Sequence, residues 1–416
     1  MADRFVSTKV EIEGREETKI VELPLFDVPL WDEHAELHHV GARVARVDAL
    51  EKVTGRARYT ADVERPGMLH AAIVRAPIPR GRILRLDLAP ALALSGVRAA
   101  VAGADARASF GTRVRLFPDE VTYAGQPVAA VCADTAELAR AAAAAVVVEY
   151  EPLPFAATFD DAVAPNAPPV RPRGGNTAPR TPRVAERGDV ERGFAEADVV
   201  VERTYRTPVA LHTALEPHGA VAEWDGDRLT VWESTQGIFN TRDDLADAFA
   251  LPRASVRVIK DYMGGGFGAK NGASTNAYLA ALLARRAGRP VRCINDREGE
   301  QTDAGNRPAT VQRVKLGATR DGRLTAIALD ADVPLGVSGW QAGPGKFYHE
   351  MYSCPNVRTA ETFAYVNAGA MASFRAPGHV EGAFGLERAM DVLARALGVD
   401  PLELRLRNFA ERDEEK

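Results

Sequence analysis

The sequence predicts an α+β protein in which a small α/β domain precedes a larger domain of mixed strands and helices. Three observations carry this reading. Short strand-like runs surround one alanine-rich helix between Val40 and Leu153. A stretch rich in proline, Pro165–Arg183, then interrupts the pattern. Beyond it strands and helices do not alternate: a hairpin is followed by two consecutive helices at the C-terminal end.

Taken in order, residues 1–38 are charged and weakly periodic, and an extended arm is expected there. A globular pattern begins near VGARVARVDALEKVTGRARYTADV, Val40–Val63. LHAAIVR (Leu69–Arg75), RILRLD (Arg82–Asp87) and QPVAAVCA (Gln126–Ala133) read as strands. TAELARAAAAAVVVEYEPL, Thr135–Leu153, reads as a helix with Thr135 as N-cap, running into a β-branched strand. The Pro165–Arg183 stretch holds six prolines and is expected to wander over the surface as a linker. RDDLADAFALP, Arg242–Pro252, reads as a helix stopped by Pro252. SVRVI, Ser255–Ile259, reads as a buried strand, and STNAYLAALLARRAG, Ser274–Gly288, as a helix. Val311–Val333 reads as two strands joined at Asp321-Gly322. His379–Gly398 has the apolar stripe of an amphipathic helix, with Gly398 as its C′ residue. Asp400 and Pro401 open one more helix.

The predicted organisation is therefore an arm (1–38), a first domain (39–160), a linker (161–185) and a second domain (186–416). Of the 416 residues, 46% are hydrophobic and 26% charged, enough apolar surface for a sizeable core. The formal net charge of −5 gives no electrostatic case for nucleic acid. No apolar run reaches transmembrane length. The N-terminus has neither an apolar signal region nor twin arginines, so a cytoplasmic location is expected. Cys132, Cys293 and Cys354 are far apart and cannot hold an iron–sulfur cluster by themselves; reduced, mostly buried thiols are expected.

The most informative stretch is DYMGGGFGAKN, Asp261–Asn271, lying between a strand and a helix. Gly264-x-Gly266-x-x-Ala269 satisfies the dinucleotide fingerprint, with Asp296 ending the next strand as a candidate ribose ligand. Against a nicotinamide site, Asp296 lies further on than the usual spacing of about 20 residues, and no βαβ alternation follows. His212, Glu216 and His218 form an HxxxExH pattern that matches no zinc signature, so they are read as structural and no metal ligands are assigned.

Several segments, in order, resemble the molybdopterin-binding large subunit of the xanthine dehydrogenase/aldehyde oxidase family. They are DALEKVTGRARYTADV with LHAAIVRAP, YAGQPVAAVCADT with VEYEPLP, HTALEPHGAVAEW, ESTQGIFNTRDDLADAFALPRASVRVIKDYMGGGFGAK, and ASFRAPGHVEGAFGLERAMDVLARALGVDPLELRLRN. The resemblance implies an α/β hammerhead-like first domain and an α+β molybdopterin-binding second domain. It implies that Gly264, Gly265, Gly266, Phe267 and Gly268 hold a molybdenum–pterin cofactor, as molybdopterin or its cytosine dinucleotide. Amides around Gly266, Phe267 and Gly268 would be the donors. Gln236 matches the family's glutamine beside the molybdenum centre, and is the one catalytic residue assigned. Ser373, Phe374 and Arg375 match the second cofactor loop.

Departures from the family pattern bear on substrate. The glutamate that binds purine in xanthine-oxidising members is replaced by Asn271. The aromatic residue that sandwiches the purine falls on Pro377, and the substrate arginine falls near Gly343. These three pocket positions argue against xanthine. The cysteine of carbon monoxide dehydrogenases is Ala372 here, which argues against a copper–molybdenum site. An N-heteroaromatic or an aldehyde remains.

Family large subunits are normally much longer, and their catalytic glutamate lies in the second half. The polar tail Glu411–Lys416 is expected to be a natural end, so the resemblance implies a split subunit. A second chain would supply the other half with the catalytic glutamate. A further subunit would carry [2Fe–2S] clusters, with a flavin (FAD) subunit or another acceptor beyond it. The alternatives are a non-catalytic scaffold and the nicotinamide-dependent oxidoreductase. The apolar faces of Ser274–Gly288 and His379–Gly398 are expected to be left partly uncovered for the partner half.

Overall fold

The computed structural model describes residues 5–12, 15–22, 35–110, 116–171 and 174–411. The chain divides into two units, Met1–Arg56 and Ala57–Lys416. In the first, Phe5–Ile12 and Arg15–Glu22 pair as an antiparallel hairpin where an extended arm was expected. Val40, Val44 and Val47 are exposed.

The second unit is built on two large sheets. A seven-stranded sheet runs in the order Val256–Ile259, Arg228–Glu233, Gly219–Asp225, Val291–Ile294, Leu69–Arg75, Pro127–Ala133, Val97–Ala102. Leu69–Arg75 pairs antiparallel with Pro127–Ala133 on one side. On the other side, Leu69 and His70 pair parallel with Val291 and Arg292. One sheet therefore spans the sequence on both sides of the proline-rich stretch. That stretch is largely exposed but pinned: Asn176 is buried, accepts from Val170 N and donates to the carbonyls of Ala162 and Pro168.

The helix Thr275–Ala287 supplies this sheet's core. The Ser274 hydroxyl caps it by accepting from Ala277 N, and Gly288 ends it in the left-handed region. Leu279, Ala280, Ala281 and Leu283 are buried in one cluster with Leu229, Val231 and Val291. The expectation that this helix keeps an uncovered apolar face is thus corrected: the sheet of its own chain covers it. The strand Val256–Ile259 is a sheet edge and is only part-buried, not fully buried as predicted. The predicted helix at Arg242 begins earlier, at Ile238, and ends with Ala250 at φ 54° rather than at Pro252.

The second sheet has five strands, ordered Val199–Thr207, Thr310–Ala318, Leu324–Pro334, Val357–Ala364, Arg183–Arg187. Its central hairpin turns at Gly322, φ 87°, as the Asp-Gly pair predicts. The helix His379–Leu397 lays Leu386, Met390 and Leu393 against Val314, Leu316, Ile327 and Leu329. Val380 and Phe384 of the same helix stay 51% and 45% exposed, as expected for part of this face. The predicted caps of the remaining helices form: Thr135 accepts from Leu138 N, and Asp400 from Leu402 N and Glu403 N.

The three cysteines are free and buried. Burial pushes the Cys132 thiol up to about 12 and the Cys293 thiol to about 11, so neither is a ready thiolate. Among the described residues no helix is long and apolar enough to cross a membrane.

Candidate cofactor site

The site forms where two loops meet beyond a strand end. The strand Arg228–Glu233 runs into Ser234, Thr235 and Gln236. Gln236 is tied to the glycine loop twice. Its backbone N–H donates to the Lys270 carbonyl at 2.6 Å. Its side-chain oxygen accepts from Gly268 N at 2.7 Å and Lys270 N at 3.4 Å. The amide is thereby oriented, with the oxygen on the loop and the NH2 left as a donor.

The glycines are required by close approach. A Cβ on Gly266 would lie 2.5 Å from Gln236 Oε1, and one on Gly268 would lie 2.5 Å from the Ser373 carbonyl oxygen. Gly268 also holds φ at 111°, and Phe267 takes 54°. Among the described residues, the N–H groups of Gly265, Gly266 and Phe267 have no acceptor. Gly268 differs from expectation here, since Gln236 takes its N–H.

The second loop lies between the strand Val357–Ala364 and the helix His379–Leu397. Arg375 N donates to the Phe267 carbonyl at 2.8 Å, which joins the two loops directly. His212 Nε2 lies 2.7 Å from the Ser373 carbonyl, and its ring sits 4.3 Å from that of Phe374. Burial holds the His212 imidazole below its ordinary range, which favours the neutral ring as a donor to that carbonyl. The Arg307 guanidinium supports the loop from behind. It donates to the carbonyls of Phe374 and Arg375, lies over the Phe374 ring and pairs with buried Glu381 at 2.6 Å. The Arg375 side chain is exposed and makes no ion pair among the described residues.

The structure thus brings together Gln236, Gly264–Gly268 and Ser373–Arg375. The three predicted pocket residues are placed differently. Asn271 is exposed, and its amide donates to the Gly268 carbonyl at 2.9 Å, bracing the glycine loop. Gly343 touches Gly378, the neighbour of Pro377, so those two positions are adjacent. A Cβ on Gly343 would lie 2.2 Å from Glu361 Oε1, and Glu361 is fixed by Arg183 and by Gly345 N. No arginine can stand at 343 without displacing that carboxylate.

Sequence reasoning missed Arg307, Glu381 and Lys270. Glu381 carried a signal: it shares a helix face with Gly385, Ala389 and Leu393, where a carboxylate is out of place unless paired.

Three properties fit an anionic molybdenum–pterin group. The glycine loop offers backbone donors with no acceptor of their own, the Gln236 NH2 points off the loop, and the Arg375 guanidinium is open. The dinucleotide reading fits less well. Ala269–Ala273 separate the glycines from the helix, whose first turn is capped by Ser274. Asp296 caps the helix Arg297–Asp303 through Gly299 N, so it is engaged in its own chain.

Comparison with known proteins agrees. Residues 54–154 match the aldehyde oxidase and xanthine dehydrogenase a/b hammerhead domain, and residues 175–409 match the molybdopterin cofactor-binding domain. The chain is 35% identical over 387 residues to the nicotinate dehydrogenase large molybdopterin subunit of Eubacterium barkeri, covering 89% of each. It is 34% identical to the aldehyde oxidoreductase molybdenum-binding subunit PaoC of Escherichia coli K12, covering 93% of this chain and 53% of that one. Quinoline 2-oxidoreductase from Pseudomonas putida 86 superposes with a TM-score of 0.82 at 29% identity, covering 89% of this chain and 50% of that one. The chain therefore spans most of the nicotinate dehydrogenase subunit but about half the length of the other two. The predicted α+β class, with a hammerhead domain and a cofactor-binding domain, agrees with these matches. By sequence, fold and the two joined loops, this chain belongs to the aldehyde oxidase/xanthine dehydrogenase family and carries its molybdopterin cofactor-binding domain.

Proposed function

We propose that this chain is the N-terminal half of the molybdenum-cofactor subunit of a hydroxylase. The overall reaction is RH + H2O → ROH + 2 H⁺ + 2 e⁻, with R an N-heteroaromatic ring or an acyl group. The observation that carries the reading is the junction of the two loops. Gln236 Oε1 accepts from Gly268 N, and Arg375 N donates to Phe267 O. A bound molybdenum–pterin group, as molybdopterin or its cytosine dinucleotide, supplies the two-electron redox chemistry.

This chain's own part is binding and orientation. The N–H groups of Gly265, Gly266 and Phe267 and the Arg375 guanidinium hold the anionic group, beside Ser373 and Phe374. The Gln236 NH2, fixed by its own oxygen's bonds, places a donor at the reacting centre without reorganisation. A partner chain supplies the other half with the general base, and [2Fe–2S] clusters on another subunit take the electrons. An FAD subunit or another acceptor lies beyond, and the complex works in the cytoplasm. The substrate lacks a group that needs an arginine at 343, and Asn271 and Pro377 border its pocket. Relatives named for nicotinate, aldehyde and quinoline support this substrate class.

The test is a metal and pterin assay on the complex purified with this chain, with its subunits identified. Molybdenum and pterin in near-equal amounts, with a second chain carrying the other half, support the proposal. Absence of both would leave the non-catalytic scaffold.

A further inference from the structure

The segment His212–His218 reaches both cofactor loops through three polar side chains. His212 holds the Ser373 carbonyl. His218 Nδ1 meets Glu300 at 2.9 Å, while its Nε2 lies 3.3 Å from the carbonyl of Ala269, just past the glycines. Glu216 lies between them and makes the most bonds. Its Oε2 accepts from Gly264 N at 2.7 Å and from the Ser234 hydroxyl at 2.8 Å. Its Oε1 accepts from Thr60 N at 3.2 Å. Lys270, 2% exposed, closes the arrangement from beneath. Its ammonium donates to the Glu216 carbonyl at 2.7 Å, the Pro217 carbonyl at 3.3 Å and Ser234 Oγ at 2.7 Å.

The donor directions are consistent. Lys270 donates to Ser234, Ser234 donates to Glu216, and Glu216 accepts the first N–H of the glycine run. One carboxylate thus ties the loop's start to the Ser234–Gln236 strand end. Lys270, at the loop's end, returns to the same hydroxyl. The loop is clamped at both ends while the N–H groups of Gly265, Gly266 and Phe267 keep no acceptor among the described residues. Gly264 is itself fitted to this clamp, since a Cβ there would lie 2.6 Å from Glu216 Cβ.

We infer that Glu216, with Ser234 and Lys270, is a positioning group that sets the direction of the cofactor-binding amides. This rests on the reading that the glycine loop holds the cofactor. A fixed loop binds without ordering its backbone first, so loss of the clamp weakens cofactor retention more than it weakens the fold.

The test compares wild type, Glu216→Gln and Ser234→Ala in the assembled complex. It measures amide hydrogen exchange by peptide, thermal unfolding, and molybdenum and pterin content. Glu216→Gln keeps the volume but sets an NH2 against donors; Ser234→Ala removes one hydroxyl and leaves the Lys270 ammonium its two carbonyl acceptors. Expected are at least tenfold faster exchange confined to peptides covering 261–270 and 233–237, and cofactor content reduced severalfold. Faster exchange spread over the whole chain in step with a lower Tm would overturn the inference. So would unchanged loop exchange with full cofactor content in Ser234→Ala. A wild-type complex without molybdenum or pterin overturns the underlying reading instead.

Discussion

The Gln236 side-chain oxygen accepts the backbone N–H of Gly268 at 2.7 Å, so one side chain both orients itself and closes the glycine loop. Gln236→Ala removes the acceptor and the outward NH2 together. A donor of this kind is worth about 10²-fold or more in rate. Turnover of the loaded complex should fall by about that factor with an N-heteroaromatic or aldehyde substrate. Molybdenum content, measured alongside, should fall far less.

Gly268→Ala tests the contact between the loops. The new methyl group would meet the Ser373 carbonyl at 2.5 Å, at a backbone φ of 111°. Strain of this kind is on the order of 1–3 kcal/mol before the clash is counted. The variant should unfold at lower temperature and copurify with little pterin, read by calorimetry and by fluorescence of the released pterin.

Arg307 and Glu381 form a buried pair at 2.6 Å, with side chains 8% and 3% exposed. Removing one partner strands the other charge, at about 3–5 kcal/mol. Glu381→Ala should therefore destabilise the chain by that amount in denaturant titration. The double variant with Arg307→Met should recover part of it, since the stranded charge is then gone.

Glu233 is fully buried, and burial pushes its carboxyl up to about 7. Its Oε1 accepts from Ser274 N at 2.8 Å, while its Oε2 has no hydrogen-bond partner among the described residues. The native state holds this proton where the unfolded chain has released it. Stability from this group is therefore present below the ordinary carboxyl value of 4.5 and is lost as pH rises toward 7. The span corresponds to about 3 kcal/mol. Unfolding free energies of wild type minus Glu233→Gln should decline between pH 5 and 8 and flatten above. A difference independent of pH would show that the carboxyl is ionised in the fold.

Local chemistry was legible in the sequence, and long-range partnership was not. Asp321-Gly322 announced its hairpin, and Thr135 and Asp400 announced their caps, because each depends on neighbours a few residues away. The glycine loop stood out as a compact motif, whereas Gln236 and Ser373–Arg375 were picked out only by the family resemblance. The pairing of Leu69 with Val291 left no mark, because strand periodicity says which face is buried and nothing about the neighbour. Buried Lys270 and Arg307 look like surface charges in one dimension. Helix Thr275–Ala287 looked open to a partner because the sheet that covers it is assembled from strands before and after it in the chain.

That same sheet has a consequence for synthesis on the ribosome. The edge of Leu69–Arg75 that meets Val291 and Arg292 is unpaired until those residues emerge, more than two hundred residues later. At about 5–20 residues per second this leaves an open strand edge for roughly 10–40 s. Nascent chains stalled between residues 133 and 291 should therefore be captured by chaperones that bind extended apolar segments, and released once Val291–Ile294 docks.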